Sequence, residues 1–127
     1  MKLYIEDDDV IRNIQNEFNK TYPFLKIEFF KSPANNRLSQ KMEKINPYER
    51  IKFVTKVDDY NIINIGKHQT VAQLEKDFGE MFGLKAEVFR KSGNIWIETS
   101  LTDDWTLEQQ NSEGEFISSH TNQKYKS

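Results

Sequence analysis

The stretch LKIEFFK at residues 25–31 recurs as LKAEVFR at residues 84–90, with identical residues at four of the seven positions. In both copies apolar residues alternate with polar or charged ones, a pattern typical of a β-strand with one buried face. The second copy begins 59 residues after the first. The recurrence predicts that the chain contains two copies of one structural unit.

An amphipathic helix is predicted before each copy of this strand, because apolar residues recur there at helical spacing. They are Ile11, Ile14, Phe18 and Tyr22 in the first copy and Val71, Leu74, Phe78 and Phe82 in the second. Pro23 should end the first helix, while Thr70 should begin the second and Gly83 should end it. The acidic run at residues 7–9 is expected to cap the first helix.

A short alternating strand precedes each helix, at residues 3–5 and 63–65. Two strand–helix–strand units fold most simply as βαββαβ, the ferredoxin-like α+β arrangement with both helices on one face of an antiparallel sheet. Its usual strand order, 4-1-3-2, puts Glu28 and Glu87 on the outermost strands. They would then lie about 14 Å apart, at ~4.8 Å per strand spacing. We therefore expect a ferredoxin-like duplicated βαβ fold.

An extra strand is predicted at residues 95–99, where apolar and polar residues alternate again. A two-residue loop at residues 92–93 would join it to the second copy of the repeated strand as a hairpin. In that register Phe89 lies opposite Trp96, and both side chains belong to one face of the sheet.

The length of 127 residues indicates one domain. We expect a single α+β domain over residues 1–117, with a loop-rich basic insertion at 33–56 and a flexible polar tail at 118–127. The charge is unevenly distributed, although the whole chain carries a formal net charge of only −2. Residues 31–56 hold seven Lys or Arg and two Glu, whereas residues 98–115 hold six acidic residues and no basic one.

The sheet face opposite the predicted helices carries an unusual number of aromatic residues. Strand alternation assigns to it Tyr4, Phe30, Ile62, Phe89 and Trp96, interleaved with charged residues. A sheet face left to water is normally polar, so these aromatics require a partner. The residues expected to form a binding surface are Tyr4, Phe30, Phe89, Trp96, Lys26 and Lys85.

Three kinds of cover for this face are open at the level of sequence. The segment 101–116 could fold back over it, a second copy of the sheet could cover it in a homodimer, or a ligand could bind there. Aromatics on the open sheet of this topology stack bases in RNA-recognition modules. The chain lacks the Gly-and-aromatic strand motif of those modules, so the pattern favours RNA only weakly.

Signals for catalysis or metal binding are sparse. The chain has no cysteine, which excludes disulfides, thiolate nucleophiles and cysteine-ligated metal clusters. His68 and His120 have no second ligand at metal-binding spacing, and there is no Gly-rich phosphate loop. We therefore predict no catalytic residue, no metal site and no cofactor.

The sequence thus predicts a non-enzymatic binding or interaction domain of unknown specificity. Its site would be the helix-free aromatic sheet face or the basic segment 31–56. A single-stranded RNA-binding domain that uses the same face is the alternative, and a small enzyme using sheet carboxylates is the least favoured reading. The expected partners are another protein, a second copy or RNA. No apolar run approaches a membrane span and no signal peptide is recognisable, so we expect a cytoplasmic location.

Overall fold

The computed structural model describes residues 1–31, 42–58 and 61–124. The elements in chain order are β1 (Lys2–Ile5), α1 (Ile11–Thr21), β2 (Leu25–Lys31), β3 (Glu43–Lys44), α2 (Ile51–Val54), β4 (Asn61–Asn64), α3 (Val71–Phe82), β5 (Lys85–Ser92), β6 (Ile95–Glu98), a 3₁₀ turn (Ser100–Thr102) and α4 (Leu107–Lys124). Part of the predicted basic insertion and the last three residues of the predicted tail lie outside the described residues.

The strands form two antiparallel sheets, which confirms the α+β class. Among the described residues, one sheet pairs β1 with β4, and the other has the order β3-β2-β5-β6. The core lies beneath the helices and contains Phe18 of α1 and Phe78 of α3, both completely buried. The ring of Phe78 lies 4.9 Å from that of Phe29 on β2, measured between centroids.

The strand order differs from the ferredoxin-like expectation. The repeated strands β2 and β5 are neighbours, whereas the order 4-1-3-2 would place them at opposite edges. Glu28 and Glu87 are consequently direct cross-strand partners, and their predicted wide separation is wrong. Both strands bury every second residue. Antiparallel pairing therefore places Ile27 opposite Val88, and the buried residues form one continuous apolar face.

Positions related by the sequence repeat pair with one another in both sheets. Leu3 of β1 lies opposite Ile63 of β4, and Glu28 of β2 lies opposite Glu87 of β5. Both pairs join equivalent positions of the two copies, at offsets of 60 and 59 residues. The two halves of the chain therefore meet through like strands.

The correspondence between the halves also extends past the repeated strands. The first free amides of α1 donate to Glu49 and Pro47 carbonyls, and those of α3 donate to Trp105 and Asp103 carbonyls. The amide that begins α2 donates to the Asp9 carbonyl, and the amide that begins α4 donates to the Gln69 carbonyl. These two acceptors are 60 residues apart in the sequence. Each half thus reads strand, helix, strand, strand, helix.

The predicted helix ends are observed except at the start of α1, since α1 ends just before Pro23 as expected. Thr70 Oγ1 accepts the Gln73 amide at 3.1 Å, and Gly83 ends α3 with a left-handed φ of 66°. The acidic run at residues 7–9 does not cap α1, whose N-cap residue is Val10 without a side-chain cap. Backbone carbonyls already accept the first amides of α1, and Asp9 Oδ2 instead accepts the Glu6 amide at 2.8 Å.

The predicted hairpin strand is present as β6, with a register that differs by two residues. Trp96 pairs with Lys91, and Phe89 pairs with Glu98, so the loop is Gly93-Asn94. Gly93 has a φ of 66°, a conformation that glycine adopts without strain. A shift of two residues preserves the face of every side chain, so Phe89 and Trp96 still share one side of the sheet.

The predicted insertion and tail are both partly built into the fold. Ile45 and Ile51, in the segment expected to be loop-rich, are buried in the core. The expected domain boundary after residue 117 falls inside α4. Ser118 is buried there, and its hydroxyl accepts the Gly93 amide at 3.2 Å.

Candidate functional site: the helix-free sheet face

Five of the six predicted site residues share one face of the four-stranded sheet. We call this surface the helix-free face; it is formed by Lys26, Glu28 and Phe30 of β2, Lys85, Glu87 and Phe89 of β5, and Trp96 and Glu98 of β6. The apolar residues that alternate with them on β2 and β5 are buried in the core. Tyr4, the sixth predicted residue, is 61% exposed but lies on the separate β1–β4 sheet.

Lys26 organises the aromatic part of this face. Its Nζ lies 5.4 Å from the ring centroid of Phe89 and 5.2 Å from that of Trp96, within the range of cation–π contacts. Phe89 is the direct cross-strand partner of Lys26, and both rings are only half-buried. A lysine stem and charge thus partly cover the aromatic rings while leaving them accessible.

The segment 101–116 does not supply the cover that one sequence hypothesis required. It forms the 3₁₀ turn and the first half of α4, and Gln110 accepts a hydrogen bond from Arg90 Nη1 at 2.8 Å. The Arg90 guanidinium also stacks on Trp105, 5.6 Å from the ring centroid. Arg90 alternates with Phe89 along β5, so these contacts are made on the opposite side of the strand from the aromatic pair.

A cleft of about 280 Å³, here called the basic cleft, borders the helix-free face beside α1. It is lined by Arg12, Gln15, Asn16, Asn19, Lys26, Ile27, Glu28, Lys44, Pro47 and Trp96. Three cations face one carboxylate, a net charge of +2. Glu28 lies 2.8 Å from Lys44 Nζ and 3.6 Å from Lys26 Nζ, so it neutralises only part of the positive charge.

The wall of the basic cleft is held by amide side chains of α1. Gln15 Nε2 donates to the Ile27 carbonyl at 3.0 Å, and Asn19 Nδ2 donates to the Leu25 carbonyl at 2.7 Å. These bonds satisfy carbonyls at the edge of β2 that a neighbouring strand would otherwise meet. The same arrangement leaves the buried Gln15 Oε1 without a hydrogen-bond partner among the described residues.

A second cleft, of about 180 Å³, lies beside α3 and is called the acidic cleft. Its lining residues are Glu75, Lys85, Glu87, Val88, Glu98, Thr99, Ser100 and Asp103. Four carboxylates face one lysine, a net charge of −3 when all are ionised. Burial raises the pKa of Glu75 to about 7, and the nearby charges of Asp103 and Glu87 add to the effect.

The two clefts occupy equivalent places in the two halves of the chain. The sequence repeat relates Gln15 to Glu75, Lys26 to Lys85 and Glu28 to Glu87. The structure adds two more pairs of equivalent positions. Lys44 is equivalent to Glu98, because they lie opposite the equivalent residues Phe30 and Phe89. Pro47 is equivalent to Asp103, because their carbonyls accept equivalent helix amides. The clefts differ in charge because three of these five positions differ in charge.

Two cations of the basic segment 31–56 are paired with a carboxylate from outside the segment. Lys52 Nζ lies 2.7 Å from an Asp8 carboxylate oxygen, and Arg50 Nη1 lies 3.6 Å from the same oxygen. The hydrogen bond and charge of Lys52, together with the charge of Arg50, hold the pKa of Asp8 below its usual value. Asp8, in the acidic run that does not cap α1, therefore pairs with this segment.

The described residues of the site offer charged and aromatic groups for binding and one carboxyl group, Glu75, whose raised pKa suits proton exchange. Glu75 exchanges a proton near neutral pH, but the Thr99 hydroxyl in the same cleft already donates to the Val88 carbonyl at 2.7 Å. Across residues 1–31, 42–58 and 61–124, no three His, Cys, Asp or Glu side chains are placed to hold a metal ion. His120 stacks on Phe116 of α4.

Sequence reasoning found the aromatic face but missed both clefts. The repeat was recognised only to the end of LKAEVFR, so the exchange of Lys44 for Glu98 fell beyond the aligned region. A comparison of the following strands would have revealed it.

None of the described helices has the length and apolar character needed to cross a membrane. No protein-family model, curated protein or solved structure matches the chain.

Proposed function

We propose that the chain is a non-catalytic binding domain whose binding surface is the helix-free face. The observation that carries this proposal is the arrangement of Lys26 over the half-buried rings of Phe89 and Trp96. A cation and two aromatic rings in one accessible cluster resemble the centre of an interface, where aromatic residues are enriched.

The face is a better candidate for the site than the basic segment 31–56. Two cations of that segment, Arg50 and Lys52, are engaged by Asp8. Lys44 belongs to the same segment but lines the basic cleft, so its charge contributes to the face. In this proposal the helix-free face and the basic segment 31–56 therefore overlap at Lys44.

Site-specific photo-crosslinking tests the proposed surface. A photoreactive amino acid at Trp96 should give adducts in cells, whereas the same group at Met81, an exposed residue of α3, should not. Lys26→Glu should abolish the Trp96 adducts because it removes the cation that organises the rings. Equal adduct yields from the two positions, or no adduct from Trp96, would contradict the proposal.

A single-stranded RNA ligand is a second candidate, favoured by the cations, amides and indole of the basic cleft. Glu28, Glu87 and Glu98 on the same face work against a polyanion. Titration of the protein with poly(U) at two salt concentrations tests this alternative. RNA binding would weaken as salt rises and would be lost in Trp96→Ala, and no binding at low salt would exclude it.

We also propose that the chain arose by duplication of a strand–helix–strand–strand–helix unit. The like-with-like strand pairs and the repeated hydrogen bonds at the helix starts support this origin. A cytoplasmic location is part of the proposal, and imaging of the tagged full chain would test it.

A further inference from the structure

The two clefts give one sheet face two equivalent sites of opposite charge. The basic cleft carries a net charge of +2, and the acidic cleft carries −3 when Glu75 is ionised. Within the described part of the chain, no ion pair is recorded for Arg12 in the first cleft or for Glu98 and Asp103 in the second. Each cleft therefore keeps charge available for a partner.

The positions of the clefts fix how a complementary surface must be arranged. Lys26 and Lys85 lie on either side of the paired Glu28 and Glu87, on neighbouring strands. Two copies of the face can meet about a twofold axis that lies in the plane of the contact. If this axis is perpendicular to the line joining the clefts, each basic cleft faces the partner's acidic cleft.

We propose that the helix-free face binds the same face of a second copy of this chain, basic cleft against acidic cleft. This inference rests on the proposed function, because it names the partner of that surface. The Lys26 cluster would lie beside the basic cleft, where Phe89 and Trp96 lose water on association. The middle of the contact would hold Glu28 and Glu87, which stay paired with lysines of their own chain.

The composition of the face favours a protein partner over a polyanion. Four lysines, Lys26, Lys44, Lys85 and Lys91, stand among three glutamates on this side of the sheet. Phosphates spread over the face would meet Glu28, Glu87 and Glu98 as well as the lysines. A surface of alternating charges with aromatic residues instead complements a turned copy of itself.

A reciprocal charge exchange tests the proposal, with the equivalent residues Lys44 and Glu98 as its targets. Lys44→Glu lowers the net charge of the basic cleft from +2 to 0, and Glu98→Lys changes that of the acidic cleft from −3 to −1. By sedimentation equilibrium, the wild-type mass should rise from 15.1 kDa towards twice that value as concentration increases. Each variant alone should self-associate at least about tenfold more weakly, because like charges then meet across the contact.

An equimolar mixture of the two variants should recover a dimer, because the unaltered acidic cleft of Lys44→Glu then faces the unaltered basic cleft of Glu98→Lys and the two exchanged charges face each other. Lys20→Glu and Glu115→Lys, exposed charge changes on α1 and α4, serve as the matched control and should leave self-association unchanged. Circular dichroism and urea unfolding establish that each variant is folded.

A wild-type chain that stays monomeric at millimolar concentration would overturn the inference. So would single variants that dimerise like the wild type, or a mixture that does not recover the dimer. If the chain is monomeric but position 96 still crosslinks to other proteins in a Lys26-dependent manner, the partner is not a second copy of the chain. The proposed binding surface then remains. If Trp96 gives no adduct of either kind, the proposed function fails as well.

Discussion

Single residues decide the difference between the two clefts. One pair of equivalent helix positions that line the clefts holds Gln15 in one half and Glu75 in the other. The amide reaches a β2 carbonyl, whereas the carboxylate takes a hydrogen bond from the Val88 backbone amide on β5. One side chain donates to the strand edge and its equivalent accepts from it.

Glu75 should make the stability of the protein depend on pH. Its pKa is about 7 in the folded chain and 4.5 when unperturbed, so between these values only the unfolded chain releases the proton. The free energy of unfolding should therefore fall as pH rises from about 4.5 to about 7. In urea unfolding at pH 8, the free energy of unfolding of Glu75→Gln should exceed that of the wild type by about 1–2 kcal/mol, allowing for partial exposure of the side chain. Near pH 4.5 the two proteins should differ little. Parallel pH profiles for the two proteins would contradict this assignment.

Tyr22 and Phe82 occupy equivalent positions, and only the tyrosine has a polar partner. The buried Tyr22 hydroxyl donates to the Ile65 carbonyl at 2.6 Å, and burial raises its pKa to about 12. Tyr22→Phe should cost about 1–3 kcal/mol in thermal or urea unfolding, because the carbonyl loses its buried donor. Tyr48→Phe, at a position 78% exposed, is the control and should change stability by less than ~0.5 kcal/mol.

At the scale of elements, the strands and helices of the repeat could be predicted, but their neighbours could not. Alternation and helical spacing are local properties, so they identified α1, β2, α3 and β5 and the buried Phe18 and Phe78. Strand order depends on pairing between distant segments, and the same alternation suits either order. The side-chain amides of Gln15 and Asn19 satisfy carbonyls at the β2 edge, but they leave no periodic pattern in the sequence. The sequence therefore offered no reason to reject the strand order 4-1-3-2.

The packing of α4 should depend on a glycine. A Cβ built at Gly114 would lie 2.9 Å from Phe24 Cβ and 3.2 Å from the Phe24 carbonyl oxygen. Gly114→Ala should therefore cost about 1–3 kcal/mol despite the better helix propensity of alanine. Gly79→Ala in α3 is the matched control. Its nearest neighbour would be the Leu84 carbonyl oxygen at 3.9 Å, so the substitution should stabilise by about 0.5–1 kcal/mol. Equal effects at the two sites would mean that α4 does not approach β2 and β5.

For the whole molecule, the aromatic face could be anticipated because side-chain alternation survives any change of strand order. Lys26, Phe30, Lys85, Phe89 and Trp96 share one face in the observed sheet as they would in a ferredoxin-like one. The clefts could not be anticipated, since they form where α1 and α3 meet strands that are distant in sequence. Both proposals depend on the direct pairing of β2 with β5, which places the clefts on either side of Glu28 and Glu87.

Cysteine trapping of that pairing is the most direct test, and the natural absence of cysteine makes it clean. In Glu28→Cys/Glu87→Cys the two Cα atoms should be about 5.5 Å apart, within the range that a disulfide spans. Mild oxidation should form the bond within the monomer, and Glu28→Cys/Glu80→Cys, which joins β2 to an exposed position on α3, should remain reduced. Failure of the first pair to crosslink in the folded chain would contradict the strand order and, with it, the arrangement of the two clefts.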